Sequence, residues 1–163
     1  FLRGCRMVEV LPGLPSFDWI TARLAVGSVL SRPTPGFAAV VTVLRRREMD
    51  ELTADGTRLL VPEGAAKHLI NHADRTPGLA QHLDRAVRFI DLHIRAGAVL
   101  IHCQAGVSRS PSVAIAYLMS TGMSRAAAIS LVRSKRPEAD PWLPFLAEIG
   151  TWAEERRRHP ERG

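Results

Sequence analysis

The chain has 163 residues, 46% of them hydrophobic, and 22 Lys and Arg against 16 Asp and Glu give it a formal charge of +6. That length suits one domain with a single core, and that apolar fraction excludes a disordered chain. No apolar run is long enough to span a bilayer, and FLRGCRMVEV is too short and too charged to be a signal peptide, so a soluble, cytoplasmic protein with no membrane span is expected.

Only two cysteines occur, Cys5 and Cys103. They make no disulfide framework, a reducing compartment suits them, and Cys5 reads as a bystander. The positive balance favours anionic partners through long-range attraction. Part of it lies in two clusters, Arg45-Arg46-Arg47 and Arg156-Arg157-Arg158. Neither is interleaved with aromatics or set in a nucleic-acid module, so both read as solvated surface and no specific nucleic-acid partner is expected. His68, His72, His82, His93, His102 and His159 form no ligand set, and neither a metal nor a cofactor is expected.

In chain order, residues 1–16 carry prolines and little periodicity, an irregular lead-in. Trp19 to Val29 reads as one or two short strands around a turn, and Arg32 to Gly36 as a loop by composition. Phe37 to Leu44 is a continuous apolar run rich in β-branched residues, the pattern of a buried parallel strand. A short helix over Arg46 to Ala54 should stop near Gly56, followed by an edge piece at Leu59 to Pro62 and a strand at Lys67 to Asn71. His72 to Gly78 is rich in turn formers. Leu79, Leu83, Ala86, Val87, Ile90 and Ile94 make a helical stripe over Leu79 to Arg95, which Gly97 stops.

Ala98 to Ile101 then forms a buried strand that leads into His102-Cys103. Helices are expected over Ser110 to Ser120, over Arg125 to Arg136 with Ser124 as N-cap and Pro137 beyond its end, and over Pro141 to Arg157 with Leu143, Leu146, Ile149 and Trp152 buried. The sum is a single α/β domain at 17–153, a central and mostly parallel twisted sheet flanked by helices, with a basic tail at 154–163.

The chemistry concentrates after the strand at Ala98, at the carboxyl end where such sheets bind ligands. Gln104 to Ser108 form a polar loop between strand and helix start, so loop amides and helix dipole aim at one spot. A cysteine at the head of such a loop has its thiolate stabilised. Gly106 suits a turn of positive φ, Arg109 closes the loop with a planar fork of donors, and Pro111 sits in the first helical turn, where its missing N–H costs nothing. These parts point to attack by sulfur on phosphorus. His102 precedes Cys103 on a strand, so its side chain should face the other way and support the loop rather than act as a base.

The string His102-Cys103-Gln104-Ala105-Gly106-Val107-Ser108-Arg109-Ser110 resembles the signature loop of the cysteine-dependent protein phosphatases, and more narrowly of the dual-specificity group. Ala116-Tyr117-Leu118-Met119 resembles that group too, as does the opening with Ile20, Leu24, Val26 and Gly27-Ser28. The resemblance runs from about Trp19 to about Ile149. It implies a phosphoprotein substrate, carrying phosphotyrosine or phosphoserine and phosphothreonine, and a phosphocysteine on Cys103. Gln104, Ala105, Gly106, Val107, Ser108 and Arg109 would bind the phosphate, and Ser110 would donate to the departing thiolate.

The ester oxygen expelled by the attack needs a proton from a general acid. Members of the group supply an aspartate from a loop upstream, which here implies Asp74; Asp84 and Asp91 fall inside a helix, and Asp50 and Asp55 in a stretch between Leu44 and His72 that is longer than usual. Trp142 follows Pro141 where the group often has asparagine. The loop carries no lysine, which leans away from phosphoinositides. Other readings keep the same chemistry on a phosphoinositide, a phosphoglycan or an RNA 5′ end, make the domain a phospho-binding module, or make it a rhodanese-like sulfur transferase.

Overall fold

The computed structural model of the protein describes residues 17–31, 36–54 and 61–162. Within them Phe17–Trp19 (β1), Leu24–Gly27 (β2), Phe37–Val43 (β3), Ala66–Ile70 (β4) and Ala98–His102 (β5) form one sheet of order β1-β2-β5-β3-β4. β3 and β5 are almost wholly buried and too short for buried helices, so they pair in parallel at the centre. β2 and β4 add parallel pairs outside them, and β1 closes one edge antiparallel. β4 is the other edge, exposing Lys67 and half of Leu69. Gly27 stands opposite His102, His102 opposite Thr42, and Val43 opposite Ile70. Four parallel strands therefore end level with one another, and the loops after them converge.

Some expectations lie outside the described residues: the lead-in at 1–16 with Cys5, the loop at 32–35, the helix stop near Gly56, and Leu59 with Leu60. Val61 and Pro62, the rest of the expected edge piece, are irregular.

The helices are Arg46–Ala54 (α1), Leu83–His93 (α2), Arg109–Ser120 (α3), Arg125–Lys135 (α4) and Leu143–Arg158 (α5). α3 is buried on every side from Arg109 to Leu118, the mark of a helix inside the core. α2 and α3 lie against the sheet, and α4 and α5 pack on α3. Leu24, Val26, Val41, Val99 and Ile101 meet Ile90, Ile115 and Phe145 there, each large side chain contributing about 1.5–3 kcal/mol by burial. The alternate residues Ala25, Val40 and Leu100 face the other side, against Phe17 and Phe37, with Trp19 stacked on Phe37 at 5.2 Å.

Element boundaries differ from expectation by one or two residues in several places, and most at the starts of α2 and α5. The stripe at Leu79 opens as a 3₁₀ turn, Leu79–His82, because Glu148 Oε1 takes the amides of Gly78 at 2.9 Å and Ala80 at 3.4 Å and tightens that turn. α5 starts at Leu143 because Trp142, with ψ 128°, is its N-cap: its carbonyl accepts from the Phe145 and Leu146 amides at 2.9 and 3.3 Å while its own amide is held on Ser108 Oγ at 2.9 Å. Leu143 is 74% exposed rather than buried, and Phe145 takes its place beside Leu146, Ile149 and Trp152. α5 runs to Arg158, one residue past the expected Arg157, so the first part of the basic stretch at 154–163 is helical. Ser124 caps α4 by accepting from the Ala127 amide at 3.1 Å. Among the described residues no helix is long and apolar enough to cross a membrane.

Candidate active site

β5 and α3 are both rigid core elements, so the loop Cys103–Ser108 between them is fixed at either end. Cys103 Sγ accepts from the Gly106 amide at 3.3 Å and lies 3.2 Å from Ser110 Oγ. Ser110 Oγ is also 3.2 Å from the Gly27 carbonyl oxygen. One hydroxyl proton thus has two acceptors: it goes to Gly27 while the thiol donates to Oγ, and to sulfur when Cys103 is a thiolate. His102 points away from this centre, with Nε2 2.7 Å from Thr42 Oγ1 on β3 and Nδ1 3.4 Å from the Cys103 carbonyl oxygen. Burial pulls its pKa down to about 4, against the smaller upward pull of that carbonyl. Neutral His102 satisfies both bonds as the Nδ1–H tautomer, with Thr42 donating to Nε2.

The loop carbonyls are held from outside. Gln104 O accepts from the Val29 amide at 3.2 Å, and Val107 O from the Asp140 amide at 2.8 Å. Gly106 O accepts from Arg136 Nε at 2.7 Å, Ala105 O from Arg136 Nη2 at 3.5 Å, and Ser108 O from the Ser112 hydroxyl at 2.7 Å. In a trans peptide the N–H points opposite to the C=O, so the amide that follows each of these carbonyls faces the inside of the loop. Gly106 has φ +70°, and a Cβ there would sit 2.6 Å from the Gly27 carbonyl oxygen and against the Arg136 guanidinium. The turn therefore requires glycine. Ser108 does not cap α3; its hydroxyl serves Trp142 instead.

Arg109 is buried and lies under the loop. Its Nη1 donates to Glu48 Oε2 at 2.7 Å and to the His72 carbonyl at 3.0 Å, and its Nη2 to Glu48 Oε1 at 2.9 Å. Of five guanidinium protons these bonds use three, leaving Nε–H and the second Nη2 proton side by side, a fork shaped for two phosphate oxygens. Burial lowers the arginine's pKa, but the Glu48 bonds and the charges of Cys103, Glu48 and Asp74 outweigh it and hold the pKa above its ordinary value.

Asp74 lies exposed in the loop after β4, its Oδ1 taking the Arg75 amide at 2.9 Å while Arg75 adopts φ 47°. That loop is fastened on both sides of Asp74, by the His72 carbonyl on Arg109 and by Glu148 on the amides of Gly78 and Ala80. The other described aspartates weighed for the acid are placed elsewhere: Asp84 accepts from Trp152 Nε1 and Arg156, Asp91 pairs with Arg95, and Asp50 is exposed on α1. Asp55 lies outside the described residues. Arg45 to Arg47 are exposed as expected, while Arg156 is drawn to Asp84 and sits 5.0 Å over the Trp152 ring.

Sequence reasoning missed Glu48, Thr42, Asp18 and Arg136. One local signal existed for Glu48: Arg45-x-x-Glu48 has capping-box spacing, and Oε2 does accept from the Arg45 amide at 2.8 Å. Nothing local linked it to Arg109.

The family model described as the dual specificity phosphatase catalytic domain matches residues 37–155. Dual specificity protein phosphatase Mpk3 of Drosophila melanogaster is 38% identical over 84 residues, which are 50% of this chain and 20% of that protein. Dual specificity protein phosphatase 1B of Arabidopsis thaliana is 37% identical over 91 residues, 54% of each. The crystal structure of human DUSP28 has a TM-score of 0.71 at 28% identity, covering 90% of this chain and 98% of that one. Because the match over residues 37–155 takes in most of the chain and the whole strand, loop and helix around Cys103, the protein belongs to the dual specificity phosphatase family, a branch of the cysteine-dependent protein tyrosine phosphatase superfamily.

Proposed function

We propose that the protein hydrolyses phosphotyrosine and phosphoserine or phosphothreonine in proteins through a phosphocysteine on Cys103. One observation carries the reading: Sγ lies at the focus of the loop, 3.3 Å from the Gly106 amide and 3.2 Å from Ser110 Oγ, above an arginine whose open fork faces away from Glu48. The thiolate attacks phosphorus, and the S–P bond forms as the ester P–O bond breaks. Asp74 gives its proton to the departing oxygen. The amides that follow Gln104, Ala105, Gly106 and Val107, with Arg109, take the equatorial oxygens and their growing charge. Water then attacks phosphorus while Asp74 takes its proton, and sulfur leaves as a thiolate that receives the Ser110 hydroxyl. The loop and Arg109 supply the positive field that Mg²⁺ supplies at other phosphoryl-transfer sites.

The test is kcat/KM on matched phosphotyrosine and phosphothreonine peptides in EDTA, with Cys103→Ser as the blank. Comparable, Cys103-dependent turnover of both is expected. Absence of turnover on either peptide would overturn the protein-substrate reading, and turnover of a phosphoinositide, phosphoglycan or RNA 5′ end instead would replace it. Asp74→Asn should cost about a hundredfold on a poor leaving group and much less on a good one. Equal small losses on both would assign the acid elsewhere.

A further inference from the structure

We infer that Arg136, steadied by Asp18, is a positioning residue that sets the two central peptide planes of the phosphate-binding loop. This rests on the phosphatase reading above and adds a residue that touches neither sulfur nor substrate. Arg136 ends α4 and is 6% exposed. Its Nε donates to Gly106 O at 2.7 Å, its Nη2 to Ala105 O at 3.5 Å and its Nη1 to Asp18 Oδ2 at 2.8 Å, so one buried guanidinium ties the loop to the edge strand β1.

Each carbonyl so held fixes the amide behind it. The Ala105 carbonyl fixes the Gly106 amide, which reaches Cys103 Sγ at 3.3 Å, and the Gly106 carbonyl fixes the Val107 amide. These are the softest planes of the loop, because they flank a glycine at φ +70° that has conformations on both sides of φ zero open to it. The planes before and after them are held by backbone donors, the amides of Val29 and Asp140, whereas these two share a single side chain. The charge of Arg136 faces the carbonyls and is offset by Asp18, so its part is direction rather than attraction. Lysine, with a compact ammonium in place of a planar fork, cannot serve two carbonyls and a carboxylate in one plane.

The experiment is calorimetric binding of tungstate to the full chain, beside kcat and KM on an aryl phosphate, for the parent, Arg136→Met, Arg136→Lys and Asp18→Asn, each held well below its melting temperature. Arg136→Met should weaken tungstate by about tenfold or more, with kcat/KM falling in step. Arg136→Lys should recover less than half of that loss, and Asp18→Asn should cost about two- to fivefold. Parental tungstate affinity in Arg136→Met, or full recovery in Arg136→Lys, overturns the positioning role. If Arg136→Met does not fold, parental affinity in both Arg136→Lys and Asp18→Asn overturns it. Arg136-dependent tungstate binding in a parent that turns over no phosphoester would refute the phosphatase reading and leave this one standing; parental turnover and binding in Arg136→Met would do the reverse.

Discussion

Replacing Glu48 by Gln keeps the side chain's size and removes its charge, so the Nη1–Nη2 edge of Arg109 meets one amide oxygen where two carboxylate oxygens stand at 2.7 and 2.9 Å. The arginine side chain is 4% exposed and the glutamate 16%, and one guanidinium proton is left facing an amide NH₂. Breaking a buried pair from one side costs about 3–5 kcal/mol, and water reaching the glutamate side lowers the expectation here to about 2–3 kcal/mol. The double variant Glu48→Gln/Arg109→Met removes the stranded cation as well and should be more stable than Glu48→Gln alone. Urea melts of the parent, Glu48→Gln, Arg109→Met and the double variant at pH 7 give the coupling, expected at about 1–3 kcal/mol.

Activity should suffer too, because an Arg109 released by about 1 Å loses its aim on the phosphate, a misplacement worth about a hundredfold in kcat/KM. The pH dependence follows from the pair. Burial pushes the Glu48 carboxyl up, but its bonds to Arg109 and the Arg45 amide, with the charges of both arginines, outweigh burial and hold it below its ordinary 4.5. The pair's contribution is therefore complete above that value and is lost as pH falls through the lower folded value, where parent and Glu48→Gln should converge in stability. A Glu48→Gln protein that melts with the parent at pH 7 and turns over within twofold of it would refute the reasoning.

Gly106→Ala forces a Cβ to within 2.6 Å of the Gly27 carbonyl oxygen at φ +70°, and should cost about 1–3 kcal/mol in a thermal melt together with most of the tungstate binding. His102, held to about 4 by burial against 6.5 when unfolded, contributes stability that is complete above 6.5 and is lost as pH falls toward 4, on the order of 3 kcal/mol. An imidazole resonance of His102 titrating near 6.5 in the folded protein would disprove that. Leu143→Ala should change stability by no more than about 0.5 kcal/mol, whereas Ile149→Ala, six residues along the same helix, should cost about 2–5 kcal/mol.

Much of the scaffold is written locally. Phe37–Val43 and Ala98–His102 are central strands because short, continuous apolar runs have no other way to be buried on both faces, and α4 begins at Arg125 because Ser124 caps it. The arrangement from Cys103 to Ser110 is legible for the same reason: nucleophile, glycine turn, arginine and helix start are neighbours along the chain. Tertiary structure decided what no neighbour could supply. Glu48 meets Arg109 across 61 positions because parallel pairing levels the ends of β2, β5, β3 and β4 and gathers the loops that follow, and Asp18 meets Arg136 across 118 because antiparallel pairing sets it opposite Val26, beside the same end of the sheet. It also decided that Leu143, at the first position of α5, stays in solvent while Phe145 is buried. A buried charge or a loop carbonyl must find a partner, which sequence declares; which partner it finds depends on strand order and register, and those exist only once the sheet has formed.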